Sequence, residues 1–202
     1  GNKHITGYWI HDSQADWKPD KALADFLEAG IRPVYIGFGS MVGGSFQQVL
    51  DIVLESLRPT KQRAVLSAGW GDLREQHLPG YIHQVGFVPH EWLFRHVAAV
   101  VHHGGAGTTA AGLRAGVPTI IVPFGGDQPY WGDRVYQLGA GPKPIPRKKL
   151  DAKHLSTAIL QAVSSRDIIA DAKRIGEKLL AEDGAGKAAD IIEREMKERS
   201  VS

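Results

Sequence analysis

The chain has 202 residues, with 24 lysines and arginines against 22 aspartates and glutamates, and this near-balance argues against a dedicated nucleic-acid surface. The absence of cysteine excludes disulfides, thiolate metal ligands and cysteine nucleophiles. No apolar run approaches the roughly 20 residues needed to span a bilayer, and the first residues lack a signal-peptide layout, so we expect a cytoplasmic protein.

The first thirty residues predict a connecting arm and a helix that starts near Pro19, followed by one domain over residues 31–202. Beyond the arm, short apolar runs alternate with segments of helical period. The runs predict strands over 33–38, 63–69, 81–87, 98–103 and 118–124, and a short last strand over 141–146. The periodic segments predict helices over 45–57, with Ser45 as the cap, and over 91–97, 106–116, 128–139, 150–164, 166–182 and 186–199.

Strands that alternate with helices predict βαβ units and a parallel sheet. The strands are almost continuously apolar, as expected when helices cover both faces of the sheet. The fold class is therefore a doubly wound, Rossmann-like α/β domain, in which ligands bind at the carboxyl ends of the strands. The basic run Arg147-Lys148-Lys149 follows a proline-rich turn, and we interpret it as a solvated loop.

The stretch HHGGAGTT, residues 102–109, joins a predicted strand to a predicted helix. Free backbone N–H groups and the positive end of the helix dipole converge at such a junction, which makes an anion site. Gly105 and Gly107 would let an anion approach the main chain, because neither carries a Cβ atom. We hypothesise that a diphosphate binds here.

Adjacent residues of a strand point to opposite faces, so His102 and His103 do not both face one ligand. We predict that His103 donates a charge-assisted hydrogen bond to a phosphate and that His102 is a packed structural residue. Gly112 and Gly116 are predicted to serve helix packing and a helix C-cap.

The same letters also fit a dinucleotide fingerprint, Gly105-x-Gly107-x-x-Ala110, with Asp127 about twenty residues on. That fingerprint normally opens the first βαβ unit, whereas this strand is about the fourth. A nicotinamide-binding oxidoreductase domain therefore stays as an alternative hypothesis.

A longer, ordered set of motifs resembles the donor-binding signature of family 1 glycosyltransferases, whose members have the two-domain GT-B architecture and use UDP-sugars. The matching stretches are FVPH (87–90), HGGAGT (103–108), GVP (116–118), Pro123 and DQ (127–128). The details are most similar to sterol 3-β-glucosyltransferases and their bacterial relatives, as in TGYWIHD, PVYIGFGSM and SAGWGDL.

The resemblance implies a role for each matching position. Phe87 would stack on uracil, and the backbone from Val88 to His90 would read the edge of the base. The diphosphate would be held by His103, Gly105, Gly107, Thr108 and Thr109.

Other matching positions belong to the sugar and to the loops around the nucleotide. Asp127 and Gln128 would bond the sugar hydroxyls. Gly39 and Ser40 would reach the phosphates from the first strand, and Trp70 would lie near the nucleotide unless it packs in the core. Trp131 is expected either to serve helix packing or to form the floor of the acceptor cleft.

Plant members of the family place a glutamate for the ribose eight residues after the motif histidine, where this chain has Ala111. The ribose-binding residue is therefore not identified. No acidic pair resembles a metal site, so no metal or other cofactor is predicted.

The resemblance implies inverting transfer of a hexose, favouring UDP-glucose as donor, to a hydroxyl of a lipophilic acceptor such as a sterol. The catalytic base is expected in an N-terminal acceptor domain outside these residues, so the isolated chain is expected to bind the donor without turnover. His11, beside Asp12, is not expected to act as this base. Trp9, Ile10 and Trp17 are expected to face the acceptor domain and to favour self-association in its absence, and the acceptor could bring peripheral contact with membranes. A non-catalytic nucleotide-sugar binder is a further alternative.

Overall fold

The computed structural model of the protein describes residues 3–9, 17–39, 46–67 and 78–200. Within these ranges, five parallel strands form one sheet in the order β3-β2-β1-β4-β5. The strands are β1 (Val34–Gly37), β2 (Ala64–Ser67), β3 (Ile82–Val85), β4 (Ala99–His102) and β5 (Thr119–Ile121). The chain builds outward from β1 in both directions, which confirms the predicted doubly wound sheet and puts its switch point between β1 and β4.

The helices of the described ranges follow the predicted order. They are α1 (Lys21–Glu28), α2 (Phe46–Thr60), α3 (His90–Leu93), α4 (Ala106–Arg114), α5 (Gln128–Gln137), α6 (Ala152–Ser164), α7 (Arg166–Leu180) and α8 (Gly184–Ser200). Two of their starts are fixed by carboxylate caps, since Asp20 accepts from the Leu23 N–H and Asp151 from the His154 N–H. Ser45, the predicted cap of α2, lies outside the described residues.

Alternate side chains of the strands pack into two layers. Val34, Ile36 and Val101 face α2 and α6 on one side of the sheet. Tyr35 and Val100 face the other side, together with Leu23 of α1 and Phe94 beside α3. These strand residues are at most 4% exposed, which explains why the strands read as apolar on both faces.

The predicted strand over residues 141–146 does not form. The segment runs beside β5 and exchanges backbone hydrogen bonds at two points, from the Thr119 N–H to the Ala140 carbonyl and from the Ile145 N–H to the Ile121 carbonyl, both 2.9 Å. Prolines at 142, 144 and 146 lack N–H donors and therefore prevent a continuous ladder.

The two described tryptophans of the arm differ in exposure, and their contact with an acceptor domain stays a prediction. Trp9 is 69% exposed, whereas Trp17 is half-buried and packs on Trp92 with ring centroids 4.8 Å apart. Ile10 lies outside the described residues. Within the described part of the chain, no helix combines the length and the apolar character required to cross a membrane.

Candidate functional site

The carboxyl ends of β1 and β4 meet at the switch point of the sheet. Gly37 pairs with His102 in the ladder, and each strand then leads into a loop. Gly39 has a φ of +60°, and a Cβ atom placed on it would lie 3.6 Å from Cε1 of His103. Two predicted donor-binding positions from different strands are thus in contact where the fold offers its ligand crevice.

The three glycines between β4 and the first turn of α4 meet three different requirements. Gly104 has a φ of +94° and packs so tightly that a Cβ atom would lie 2.7 Å from Cγ2 of Ile121. A Cβ atom on Gly105 would lie 2.7 Å from Nε2 of His103, so this glycine makes room for the histidine ring. Gly107 has no atom of the described residues within 4 Å of its notional Cβ, so it borders open space in this part of the structure.

The N-terminus of α4 offers backbone donors beside this open space. Its N-cap is Gly105, which has no side chain to cap the helix, and the first intrahelical hydrogen bond runs from the Thr109 N–H to the Gly105 carbonyl. The N–H groups of Ala106, Gly107 and Thr108 therefore precede the helical ladder and are available to an anion.

His102 is a buried support for the turn, as predicted. It is 0% exposed, and its Nδ1 accepts the Gly104 N–H at 2.9 Å. Burial, together with smaller contributions from His103 and His90, lowers the pKa of His102 to about 3. His102 is thus neutral with its proton on Nε2, which has no hydrogen-bond partner among the described residues.

His103 is half-buried and faces the crevice. Burial lowers the pKa of His103, and the nearby carboxylate of Asp127 acts in the opposite direction. Its Nδ1 is buried without a hydrogen-bond partner in the described ranges. A neutral imidazole with an unsatisfied nitrogen can gain a proton and a partner together when an anion arrives.

The loop after β5 forms the opposite rim of the crevice. Gln128 is 7% exposed, and its Oε1 accepts the N–H groups of Phe124 at 2.7 Å and Gly125 at 3.1 Å. Its side-chain carbonyl therefore shapes the loop, and the predicted contact of Gln128 with a sugar hydroxyl would have to come from its amide nitrogen. Asp127 is exposed, and its Oδ2 accepts the indole N–H of Trp131 at 2.8 Å. The carboxylate is thus held in place, and its Oδ1 has no hydrogen-bond partner among the described residues.

Thr109 does not present its hydroxyl to the turn. The residue is 0% exposed, and its Oγ1 donates to the Gly105 carbonyl at 2.9 Å within the helix. This geometry removes Thr109 from the groups that could contact a phosphate directly. Thr108 is half-buried one position earlier, and its predicted role stays a prediction.

Phe87 follows β3 and is 82% exposed, so a ring face is available for stacking. His90 begins α3, and its ring stacks on Phe94 at a centroid distance of 4.6 Å with an interplanar angle of 13°. Val88 is half-buried between them. Ser40 and Trp70, the other two predicted contacts, lie outside the described residues.

Sequence reasoning missed Tyr35, which lies in the middle of β1. Its hydroxyl is 3.2 Å from Nε2 of His90, and a Cβ atom on Gly37 would overlap with that hydroxyl oxygen. Burial raises the pKa of Tyr35 and lowers that of His90, so both are neutral near pH 7. A polar residue at an otherwise apolar strand position, two before a glycine, was the available signal.

Comparisons with known proteins agree with this geometry. A family model described as "Erythromycin biosynthesis protein CIII-like, C-terminal domain" matches residues 64–194. The chain is 45% identical over 204 residues to a sterol 3-beta-glucosyltransferase of Neosartorya fischeri, a match that covers 95% of this chain and 14% of that protein. It is 42% identical over 194 residues to a sterol 3-beta-glucosyltransferase of Arabidopsis thaliana, covering 95% of this chain and 31% of that protein.

Solved structures give the same fold. The glycotransferase of kitacinnamycin superposes with a TM-score of 0.73 at 26% identity, over 93% of this chain and 47% of that one. The glycosyltransferase VinC, solved in complex with dTDP, superposes with a TM-score of 0.68 at 24% identity, over 83% of this chain and 43% of that one. The chain thus spans less than a third of these curated relatives and just under half of these solved chains. The comparisons confirm the glycosyltransferase resemblance and the GT-B fold, and they do not support the oxidoreductase alternative.

Proposed function

The chain belongs to the family of EryCIII-like C-terminal domains, and we propose that it binds the nucleotide-sugar donor, UDP-glucose, of an inverting glycosyltransferase. The acceptor is a hydroxyl of a lipophilic molecule such as a sterol, in keeping with the names of the relatives from Neosartorya fischeri and Arabidopsis thaliana. The observation that carries the proposal is the uncapped N-terminus of α4 at the switch point of the sheet, with His103 beside it.

The diphosphate fits this turn by charge and by shape. The N–H groups of residues 106–108 and the positive end of the α4 dipole face a ligand that carries negative charge. Open space at Gly107 lets the phosphates reach the backbone. His103 would add a hydrogen bond that becomes charge-assisted once the ring is protonated.

The base and the sugar would lie on opposite sides of the diphosphate. The exposed ring of Phe87 supplies a stacking face for uracil, and the Tyr35–His90 contact holds the start of α3 where the backbone would read the base edge. The free oxygen of Asp127 would accept from a sugar hydroxyl, with Trp131 fixing the carboxylate. Gln128 would act as a positioning residue, because its carbonyl holds the loop at Phe124 and Gly125.

The chemistry supported by this site is stabilisation of a leaving group. An acceptor hydroxyl, deprotonated by a base from an acceptor domain, attacks the anomeric carbon of the sugar, and the bond to the diphosphate oxygen breaks. Negative charge then grows on the diphosphate. Backbone donors that are already oriented stabilise such charge without reorganisation, and a neutral His103 can take up a proton as the charge builds.

Calorimetric titration of the 202-residue chain with UDP, dTDP and NADH tests the proposal. We expect UDP to bind, NADH to give no heat of binding, and EDTA to leave UDP affinity unchanged, because no metal is proposed. dTDP is included because VinC was solved with that nucleotide. Tighter binding of dTDP than of UDP would replace the proposed donor, and no binding of either would refute the site.

A matched pair of histidine variants locates the ligand. His103→Ala should weaken UDP binding by roughly tenfold to a hundredfold, the range of a hydrogen bond to a charged group. His96→Ala is the control, because His96 is exposed and precedes β4 at the opposite end of the strand. Equal affinity in the two variants would remove His103 from the phosphate site.

A further inference from the structure

A groove of about 500 Å³ lies outside the proposed donor site, between residues 142–149 and α6. Its floor is apolar, with Ile145 and Ala158 both buried. Its rim carries the exposed lysines Lys143, Lys149 and Lys153. An apolar floor under a cationic rim complements a molecule that joins a phosphate to an apolar body.

Among the residues that the structure describes, no carboxylate pairs with the lysines of this rim. Asp151 is the only acidic residue between Arg134 and Arg166. Its carboxylate is engaged by His154, whose Nδ1 lies 2.8 Å from each oxygen and whose backbone N–H donates to Oδ1. Within the described residues, none of the three lysines lies within 4.0 Å of a carboxylate oxygen.

The backbone that carries the lysines is held rigidly. Hydrogen bonds anchor the segment to both ends of β5, and the prolines at 142, 144 and 146 fix φ at alternate positions. The Lys149 N–H donates to the Pro146 carbonyl at 2.7 Å and closes a 3-10 turn over Arg147–Lys149. The groove is therefore preformed, and little backbone ordering opposes binding.

The groove and the donor site both lie at the carboxyl ends of the strands. Ile145 bonds to the last residue of β5, and the Arg147 guanidinium stacks over Phe124 at 4.9 Å. Phe124 is one of the two residues held by Gln128. A surface bound at the groove would thus lie beside the rim of the crevice.

We propose that this groove docks the protein on the anionic phospholipids of a membrane surface, with phosphate groups between Lys143, Lys149 and Lys153. The reason for such docking rests on the proposed function, since a lipophilic acceptor resides in the membrane. The physical basis of the docking is independent of that function, because it depends only on the three lysines and the apolar floor of the groove. The basic run is then a binding element and not merely a solvated loop.

Vesicle co-sedimentation of the 202-residue chain tests the proposal with phosphatidylcholine vesicles that contain or lack phosphatidylserine. We expect binding only to the anionic vesicles. Neutralising three lysines at once (Lys143→Gln, Lys149→Gln, Lys153→Gln) should lower partitioning by about a hundredfold, since each lysine near an anionic surface contributes roughly a factor of five. The control carries the same charge change on α7 and α8, at Lys173, Lys178 and Lys187, which are exposed.

The outcomes separate the alternatives. Equal loss in both triple variants would mean that binding follows net charge, and it would overturn the docking site. Binding to neutral vesicles, or displacement by glycerol phosphate as effective as by anionic vesicles, would also overturn it. UDP titrations of the same variants should be unchanged, so a failure of nucleotide binding in the wild type would count against the donor site alone.

Discussion

Substitution of Gly107 by alanine separates a structural role of this glycine from a ligand-binding one. The new methyl group would meet no atom of the described residues within 4 Å of its position. Gly107 is the second residue of α4, and alanine is favoured over glycine inside helices by roughly 0.5–1 kcal/mol, of which a first-turn position should realise about half. We therefore expect the variant to be slightly more stable than the wild type.

The same methyl group would stand where the diphosphate is proposed to approach the backbone. Losing one charge-assisted contact costs about 1.5–3 kcal/mol, so UDP affinity should fall by roughly tenfold to a hundredfold. Chemical denaturation and calorimetry on the same samples would show the two quantities moving in opposite directions. Gly80→Ala is the control. Gly80 also has no atom of the described residues within 4 Å of its notional Cβ, but it precedes the amino end of the edge strand β3, away from the proposed site. A Gly107→Ala variant with unchanged UDP affinity would refute the proposed approach of the phosphates.

Three further variants test the site. UDP-glucose, whose pyrophosphate is esterified at both ends, should bind more tightly as the pH falls through the pKa of ligand-bound His103, which bound phosphate raises above that of the free residue. His103→Gln should abolish this pH dependence of the affinity in calorimetry. A pH dependence that persists in the variant would belong to another group. Unfolded His102 titrates near 6.5 and the folded residue near 3, so the folded state should lose about 2–3 kcal/mol between pH 7 and pH 4.5. His102→Asn, which keeps an acceptor for the Gly104 N–H, should flatten this loss in denaturation curves, and an unchanged slope would contradict the buried neutral histidine. Phe87→Ala should leave the thermal midpoint unchanged, because the ring is 82% exposed, yet weaken UDP binding by about 1–3 kcal/mol, and equal affinity would rule out stacking.

The alternation of strands and helices was readable from the sequence because each period has a simple physical origin. Apolar runs such as residues 34–37 are buried on both faces, and this burial is what makes them continuous. The same rule predicts a strand over residues 141–146, and this prediction is wrong. Their apolar letters fit a strand, and they do lie along β5, but the prolines that alternate through them remove the donors a ladder needs.

The site was harder to predict because residues of one motif serve ligand access, packing and internal hydrogen bonding. From letters alone, Gly105 and Gly107 both indicate access for an anion, yet only Gly107 borders open space, and Gly105 accommodates the ring of His103. Thr109 and Gln128 likewise look like ligand contacts, whereas the Thr109 hydroxyl holds the turn and the Gln128 side-chain carbonyl holds the facing loop. A hydrogen bond to the chain's own backbone leaves no mark in the sequence that separates it from a bond to a ligand.

Those internal bonds hold the crevice in shape. The turn after β4 is held by the hydrogen bond from the Gly104 N–H to His102. Gly104 also packs closely against Ile121 and Gln128. Gln128 in turn fixes the loop that carries Asp127. The turn proposed for the phosphates and the carboxylate proposed for the sugar therefore share one support. A cleft preorganised in this way loses little conformational entropy on binding. If the diphosphate binds at the turn as proposed, its stabilisation during transfer would depend on the residues that support the turn as well as on the backbone donors themselves.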